Sequence, residues 1–104
     1  MKGYEMVKDT NEEYIECVAK GDSMYPVIAD GNKLIVKRGI ESLDINQIIL
    51  YKDCNKIYFV HRIVGFFYCG GVPIVITKGD SCVYEDKPIQ LHNIIGVVVK
   101  IIKN

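Results

Sequence analysis

Three short stretches of this chain carry side chains able to make and break bonds. The first is Gly21-Asp22-Ser23-Met24-Tyr25-Pro26. A serine follows a glycine turn here, at the start of a segment that reads as one or two helical turns. Helix starts present free N–H groups and partial positive charge, so a nucleophilic Ser23 would have its own N–H as an oxyanion donor. The plainer role for such a serine is to cap the helix. The second stretch is Tyr58-Phe59-Val60-His61-Arg62-Ile63-Val64. Strand alternation puts His61 on the face of Phe59 and Ile63. An imidazole so placed is either a proton acceptor or a core histidine bonded to a backbone carbonyl. The third is Thr77-Lys78-Gly79-Asp80-Ser81, with Asp86 six residues beyond Asp80. An acid beside a histidine fixes its tautomer and stabilises its cation. Alternatively, both aspartates shape turns. Lys78 is a rival base, since a desolvated amine can do the same work.

The elements that must position these groups are mostly strands. Runs rich in β-branched and aromatic residues predict strands over 14–19, 33–37, 48–51, 57–67, 72–77 and 94–102. Asp30-Gly31-Asn32, Asp53-Cys54-Asn55-Lys56 and Cys69-Gly70-Gly71 are turn signals between them. Residues 79–93 read as irregular. In Ile94–Ile102 apolar residues fill both faces, the pattern of a strand buried in a closed or double-layered sheet. Residues 1–13 are polar, with no clear period, and read as a frayed arm or a short helix. The expectation is one mostly β domain over 14–104, strongly bent, with one short helix after Ser23.

Composition removes several functional classes. Thirteen basic and thirteen acidic residues cancel among 104, so no basic surface large enough for nucleic acid is expected. A chain that is 49% apolar is not disordered. Its longest uncharged run, Ile63–Thr77, is fifteen residues and broken by Gly65, Gly70, Gly71 and Pro73. A membrane-spanning helix needs roughly 20 apolar residues, so no span is expected. Phe66-Phe67-Tyr68 within that run reads as packing at a hairpin end, or as an aromatic cluster that dips into a lipid interface. Residues 1–16 include Lys2, Glu5, Lys8, Asp9, Glu12, Glu13 and Glu16 and no apolar stretch of a secretory signal. A cytoplasmic location is expected, or the membrane periphery through a partner. Cys17, Cys54, Cys69 and Cys82 lack C-x-x-C spacing and no H-x-x-x-H pair occurs, so neither metal nor cofactor is expected and the thiols read as free.

Taken together and in order, the three stretches resemble the boxes of the signal peptidase I and SOS-repressor superfamily, S24/S26. Gly21-Asp22-Ser23-Met24-Tyr25-Pro26 resembles its serine box. His61-Arg62-Ile63-Val64 resembles the base box, in the histidine form of archaeal and endoplasmic-reticulum-type signal peptidases. Thr77-Lys78-Gly79-Asp80 and Asp86 resemble the acidic box, and Ile95-Gly96-Val97-Val98 the closing strand. The match spans about residues 15–102. It departs from the family at Gly31-Asn32, at Ile45-Asn46-Gln47-Ile48 and at Cys82. The family's N-terminal membrane anchor has no counterpart. Gly21 stands where some relatives have a hydroxyl that helps the oxyanion hole. The resemblance implies coiled antiparallel sheets and a serine endopeptidase acting through an acyl-enzyme. Ser23 would be the nucleophile, His61 the base, and Asp80 or Asp86 the acid that orients it. Met24 and Pro26 would touch substrate. The implied partner is an extended peptide of a precursor protein, with a small side chain before the scissile bond. The alternative is an inactive member of the fold that binds a peptide or regulates a partner.

Overall fold

Hydrophobic alternation decides most of the strands. In Lys33-Leu34-Ile35-Val36-Lys37-Arg38, Leu34 and Val36 are fully buried while their neighbours are not. A computed structural model describes residues 5–9 and 13–104. Its strands are β1 (Glu5–Asp9), β2 (Tyr14–Val18), β3 (Lys33–Arg38), β4 (Ile48–Lys52), β5 (Tyr58–Cys69), β6 (Val72–Lys78), β7 (Ile89–Gln90) and β8 (Ile94–Ile102). They form one sheet in the order β1-β2-β3-β8-β4-β5-β6-β7, and every neighbouring pair is antiparallel. The result is a mostly β single domain with almost no helix.

The sheet buries its middle on both faces. One core cluster gathers Ile15, Cys17, Leu34, Val36, Leu50 and Val60, together with Met24 and Ile28 from the loop after β2. The second gathers Ile49, Tyr51, Ile63, Val75, Ile89 and Ile94. Ile49 and Tyr51 alternate with Leu50 along β4, so the two clusters lie on opposite faces of that strand. This explains why three successive residues of β4 are buried. Cys17 lies deep in the first cluster, and burial, aided by the nearby Glu16 charge, pushes its thiol up to about 11.

Turn chemistry closes the hairpins. Gly70 and Gly71 both take positive φ between β5 and β6, the requirement of a tight two-residue hairpin. Between β4 and β5, Asp53 Oδ1 accepts the Asn55 and Ile57 N–H groups, and Lys56 has φ of 62°.

Three expectations need correction. No helix follows Ser23. Tyr25 N–H donates to Asp22 O and Ile28 N–H to Met24 O, but Pro26 has no N–H to extend the ladder and biases Tyr25 away from helical geometry. The segment is a series of turns, and the only described helix is a 3₁₀ turn at Leu91–Asn93. Residues 5–9 are neither frayed arm nor helix but β1, paired with β2. The reading of 1–4 and 10–12 lies outside the described residues. The irregular stretch 79–93 contains β7 and the 3₁₀ turn.

Gly96 marks the tightest packing. β8 shifts register against β4 beside this residue and against β3 at Val99. A Cβ there would sit 2.1 Å from Lys37 O and 2.8 Å from Val36 Cγ1. Backbone cannot yield as a side-chain end can, so Gly96→Ala is expected to cost about 1–3 kcal/mol. Denaturant unfolding of the variant checks this, and an unchanged midpoint would contradict the close approach.

Candidate active site

Each of the three stretches delivers one side chain to a single point. Ser23 sits in the turn between β2 and β3. Gly21, at φ 82°, reverses the chain there and its N–H donates to Asp30 Oδ1 at 2.6 Å. Buried Asn32 closes the far side of the turn: its Oδ1 accepts the Ala29 N–H at 2.8 Å, and its carbonyl accepts the Ala19 N–H at 2.9 Å. Met24 and Ile28 point into the first core cluster and hold the turn down. Ser23 is itself buried, although the residues on either side of its turn reach solvent.

His61 lies in β5, opposite Ile49 of β4, and is only 1% exposed. Phe59 lies beside its ring at 5.5 Å and Tyr51 meets it edge-on at 6.3 Å. Two rings thus limit its rotation. His61 Nε2 is 3.1 Å from Ser23 Oγ, and His61 Nδ1 is 2.6 Å from Asp86 Oδ2. With an ionised Asp86 as acceptor, Nδ1 carries the proton and Nε2 is left to accept from the serine hydroxyl.

Asp86 is held charged by its neighbours. Its Oδ2 also lies 2.7 Å from Thr77 Oγ1 and 3.0 Å from the Tyr51 hydroxyl. The Asp86 N–H donates to Thr77 O at 2.8 Å, which pins the loop to the end of β6. Burial raises the Asp86 pKa, but hydrogen bonds from His61, Thr77 and Tyr51 outweigh it and leave the carboxyl below its ordinary value. Burial drives the Tyr51 phenol far upward, so it remains a donor at any ordinary pH.

Of the two acids expected to orient His61, Asp80 does not reach it. Both oxygens of Asp80 are taken by Arg62, at 2.9 Å from Nε and 2.8 Å from Nη2. Arg62 follows His61 in β5 and so starts from the opposite face of the sheet. Its third contact, Nη1 to Asn46 O at 2.9 Å, ties the loop before β4 to the loop after β6. Asp80 is therefore a strut in a bidentate pair. Lys78, the rival base, is spent in the same way: Nζ donates to Gly79 O at 3.1 Å and Cys82 O at 2.7 Å.

The acid loop and the serine turn are bolted together. Ser81 N–H donates to Ser23 O, Ser81 Oγ to Tyr25 O, and Asp80 N–H to Met24 Sδ. A Cβ on Gly79 would lie 2.8 Å from Ser23 O and 3.1 Å from Ser23 Cβ, so the loop approaches this closely only as glycine. Met24, expected at substrate, lines a small pocket beside Ser23 with Ala19, Ile28 and Val60. Pro26 does not line it; it is exposed on the outer turn, near the Lys103 amine. Sequence reasoning missed Tyr51, Thr77 as an Asp86 donor, and the Arg62–Asp80 pair. Thr77, Arg62 and Asp80 carried a signal, their places in the second and third stretches, and Tyr51 carried none. Among the described residues no three His, Cys, Asp or Glu side chains are grouped to hold a metal ion, and the four cysteines are unpaired.

The lowered Asp86 pKa has a measurable signature. Its contribution to stability is fully present above the unfolded carboxylate value of about 3.9 and is lost as pH falls through its lower folded value. Asp86→Asn lacks that contribution, so its melting deficit against wild type is expected to be largest near neutrality and to shrink below about pH 4. Thermal melts of both proteins from neutral to strongly acid pH check this. A deficit that stays constant with pH would mean that the carboxylate charge is not what the site stabilises. Comparison with family models, with curated proteins and with solved structures finds no match to the chain, so the reading of the site stands on its own geometry.

Proposed function

We propose that the chain is a serine endopeptidase of the S24/S26 type, using Ser23, His61 and Asp86. One observation carries this reading: Ser23 Oγ, both His61 nitrogens and Asp86 Oδ2 form a continuous line with contacts of 3.1 and 2.6 Å. A serine placed only to cap a helix has no need of a histidine and an acid behind it, and no helix follows Ser23. A histidine placed only for packing would not hold an acid on one nitrogen and a hydroxyl on the other.

The chemistry follows from these contacts. His61 Nε2 takes the Ser23 proton as Oγ attacks a peptide carbonyl carbon. The Ser23 N–H, which finds no acceptor among the described residues, is available to the oxyanion. Asp86 stabilises the imidazolium without taking its proton. That proton then passes to the leaving amine, the C–N bond breaks, and an acyl-enzyme remains. Water, activated by the same His61 nitrogen, hydrolyses the ester and returns the proton to Ser23. The pocket beside Ser23 has about 10 Å³ of free space, room for roughly one water or a methyl group. A space of this size supports a small substrate side chain before the scissile bond.

A serine-directed fluorophosphonate is expected to label the wild type and not Ser23→Ala, with the fold of the variant intact by circular dichroism. Asp86→Asn should lower the rate by roughly 10⁴, the loss measured in the best-characterised Ser-His-Asp enzyme. Asp80→Asn and Lys78→Ala should lose stability rather than rate, staying within about tenfold once folded. Equal labelling of wild type and Ser23→Ala would overturn the assignment. A folded wild type that binds peptides yet never labels would instead be a binding module of the same architecture.

A further inference from the structure

The β5–β6 hairpin breaks the usual rule for a half-exposed antiparallel pair, in which one face is apolar and the other polar. Its register places Phe67 opposite Ile74 and Cys69 opposite Val72 on one face, and Phe66 opposite Val75 and Tyr68 opposite Pro73 on the other. Neither face carries a charge, since the whole run from Ile63 to Thr77 has none. Phe66 joins the second core cluster and meets Tyr68 edge-on at 6.5 Å. Beyond it the hairpin end is open: Phe67 is 47% exposed, Tyr68 65% and Val72 45%. Of the two sequence readings of Phe66-Phe67-Tyr68, core packing describes Phe66 alone. Glu41, which lines a hollow together with Tyr68 and Pro73, is ion-paired with Lys37 at 3.2 Å.

We propose that this hairpin end, formed by Phe67, Tyr68, Cys69 and Val72, inserts into the headgroup boundary of a lipid bilayer. Two arguments favour lipid over a protein partner. A stable protein interface covers about 800 Å² on each side, whereas this end offers two partly covered rings and two small side chains, on the order of a few hundred Å². A hairpin end with apolar side chains on both faces also suits a medium that surrounds it rather than a surface that meets one side. Tyrosine and other amphipathic rings sit well at that depth, where one edge is apolar and the other wet. The inference rests on register, exposure and the missing charges, and is independent of the chemistry at Ser23.

The chain contains no tryptophan, so Phe67→Trp supplies a single emission reporter that keeps the ring. Adding phosphatidylcholine vesicles to this variant is expected to shift its emission to the blue. The same vesicles with added phosphatidylserine should give a similar partition coefficient, because apolar insertion does not depend on lipid charge. Phe67→Ser with Tyr68→Ser should lower vesicle co-sedimentation about tenfold or more while the melting temperature and fluorophosphonate labelling stay at wild-type values. No blue shift, binding only to anionic vesicles, or undiminished binding by the double variant would each overturn the proposal. So would a dimer in sedimentation velocity that disappears in the double variant without any vesicle binding, since the end would then dock a second copy. If the double variant fails to fold, the emission shift of Phe67→Trp alone decides.

Discussion

The site depends on one half-buried carboxylate oxygen. Asp86 Oδ2 collects His61 Nδ1, Thr77 Oγ1 and the Tyr51 hydroxyl, all within 3.0 Å. These partners come from β5, β6 and β4, three adjacent strands, so the oxygen reads the register of half the sheet. A charge withdrawn from water is tolerated only where donors replace the lost hydration. Removing the acid would leave two hydroxyls and an imidazole to find new partners in a crowded space. Among the described residues every buried side-chain nitrogen and oxygen has a partner, which shows how little slack the arrangement holds.

The serine reaches this network by a separate route. It lies between β2 and β3, in a turn packed into the first core cluster, while Tyr51, a donor to the acid, belongs to the second. The two nevertheless meet, and Gly79, Asp80 and Ser81 fasten them. Arg62 and Lys78 then fasten the fasteners, one through a bidentate ion pair and one through two carbonyls. Charged residues that looked like chemistry in the sequence are thus the frame around it. The proposed chemistry falls to the less charged set: one serine, one imidazole and one carboxylate.

Much of this was legible in the sequence, for identifiable reasons. β2 to β6 and β8 announce themselves because buried strands need apolar residues at alternate or successive positions. β1 does not: Glu5-Met6-Val7-Lys8-Asp9 is an edge strand, and its polar composition looks like a tail. β7 is two residues long, too short for any period. The meeting of Ser23, His61 and one aspartate was foreseeable from ordered motifs, but the choice between Asp80 and Asp86 was not. Both lie in one loop, where no periodicity says which way a side chain points. Tyr51 was invisible for the opposite reason. Within Ile48-Ile49-Leu50-Tyr51 it reads as one more core residue, and its hydroxyl matters only once β6 lies alongside β5. The turns after Ser23 do not lengthen into the expected helix because Pro26 offers no N–H to so short a ladder.

The length of the β5–β6 hairpin sets a distance. His61 and Cys69 are eight residues apart on β5, and at about 3.3 Å per residue the reactive centre stands at most ~26 Å from the hairpin end. Whatever grips that end therefore holds the serine at a fixed height above itself. If the proposed chemistry operates, a peptide tethered to the same surface would need at most about eight extended residues between its anchor and the bond to be cut. Such an arrangement would choose among otherwise acceptable peptides by where they stand, with the hairpin serving as a ruler.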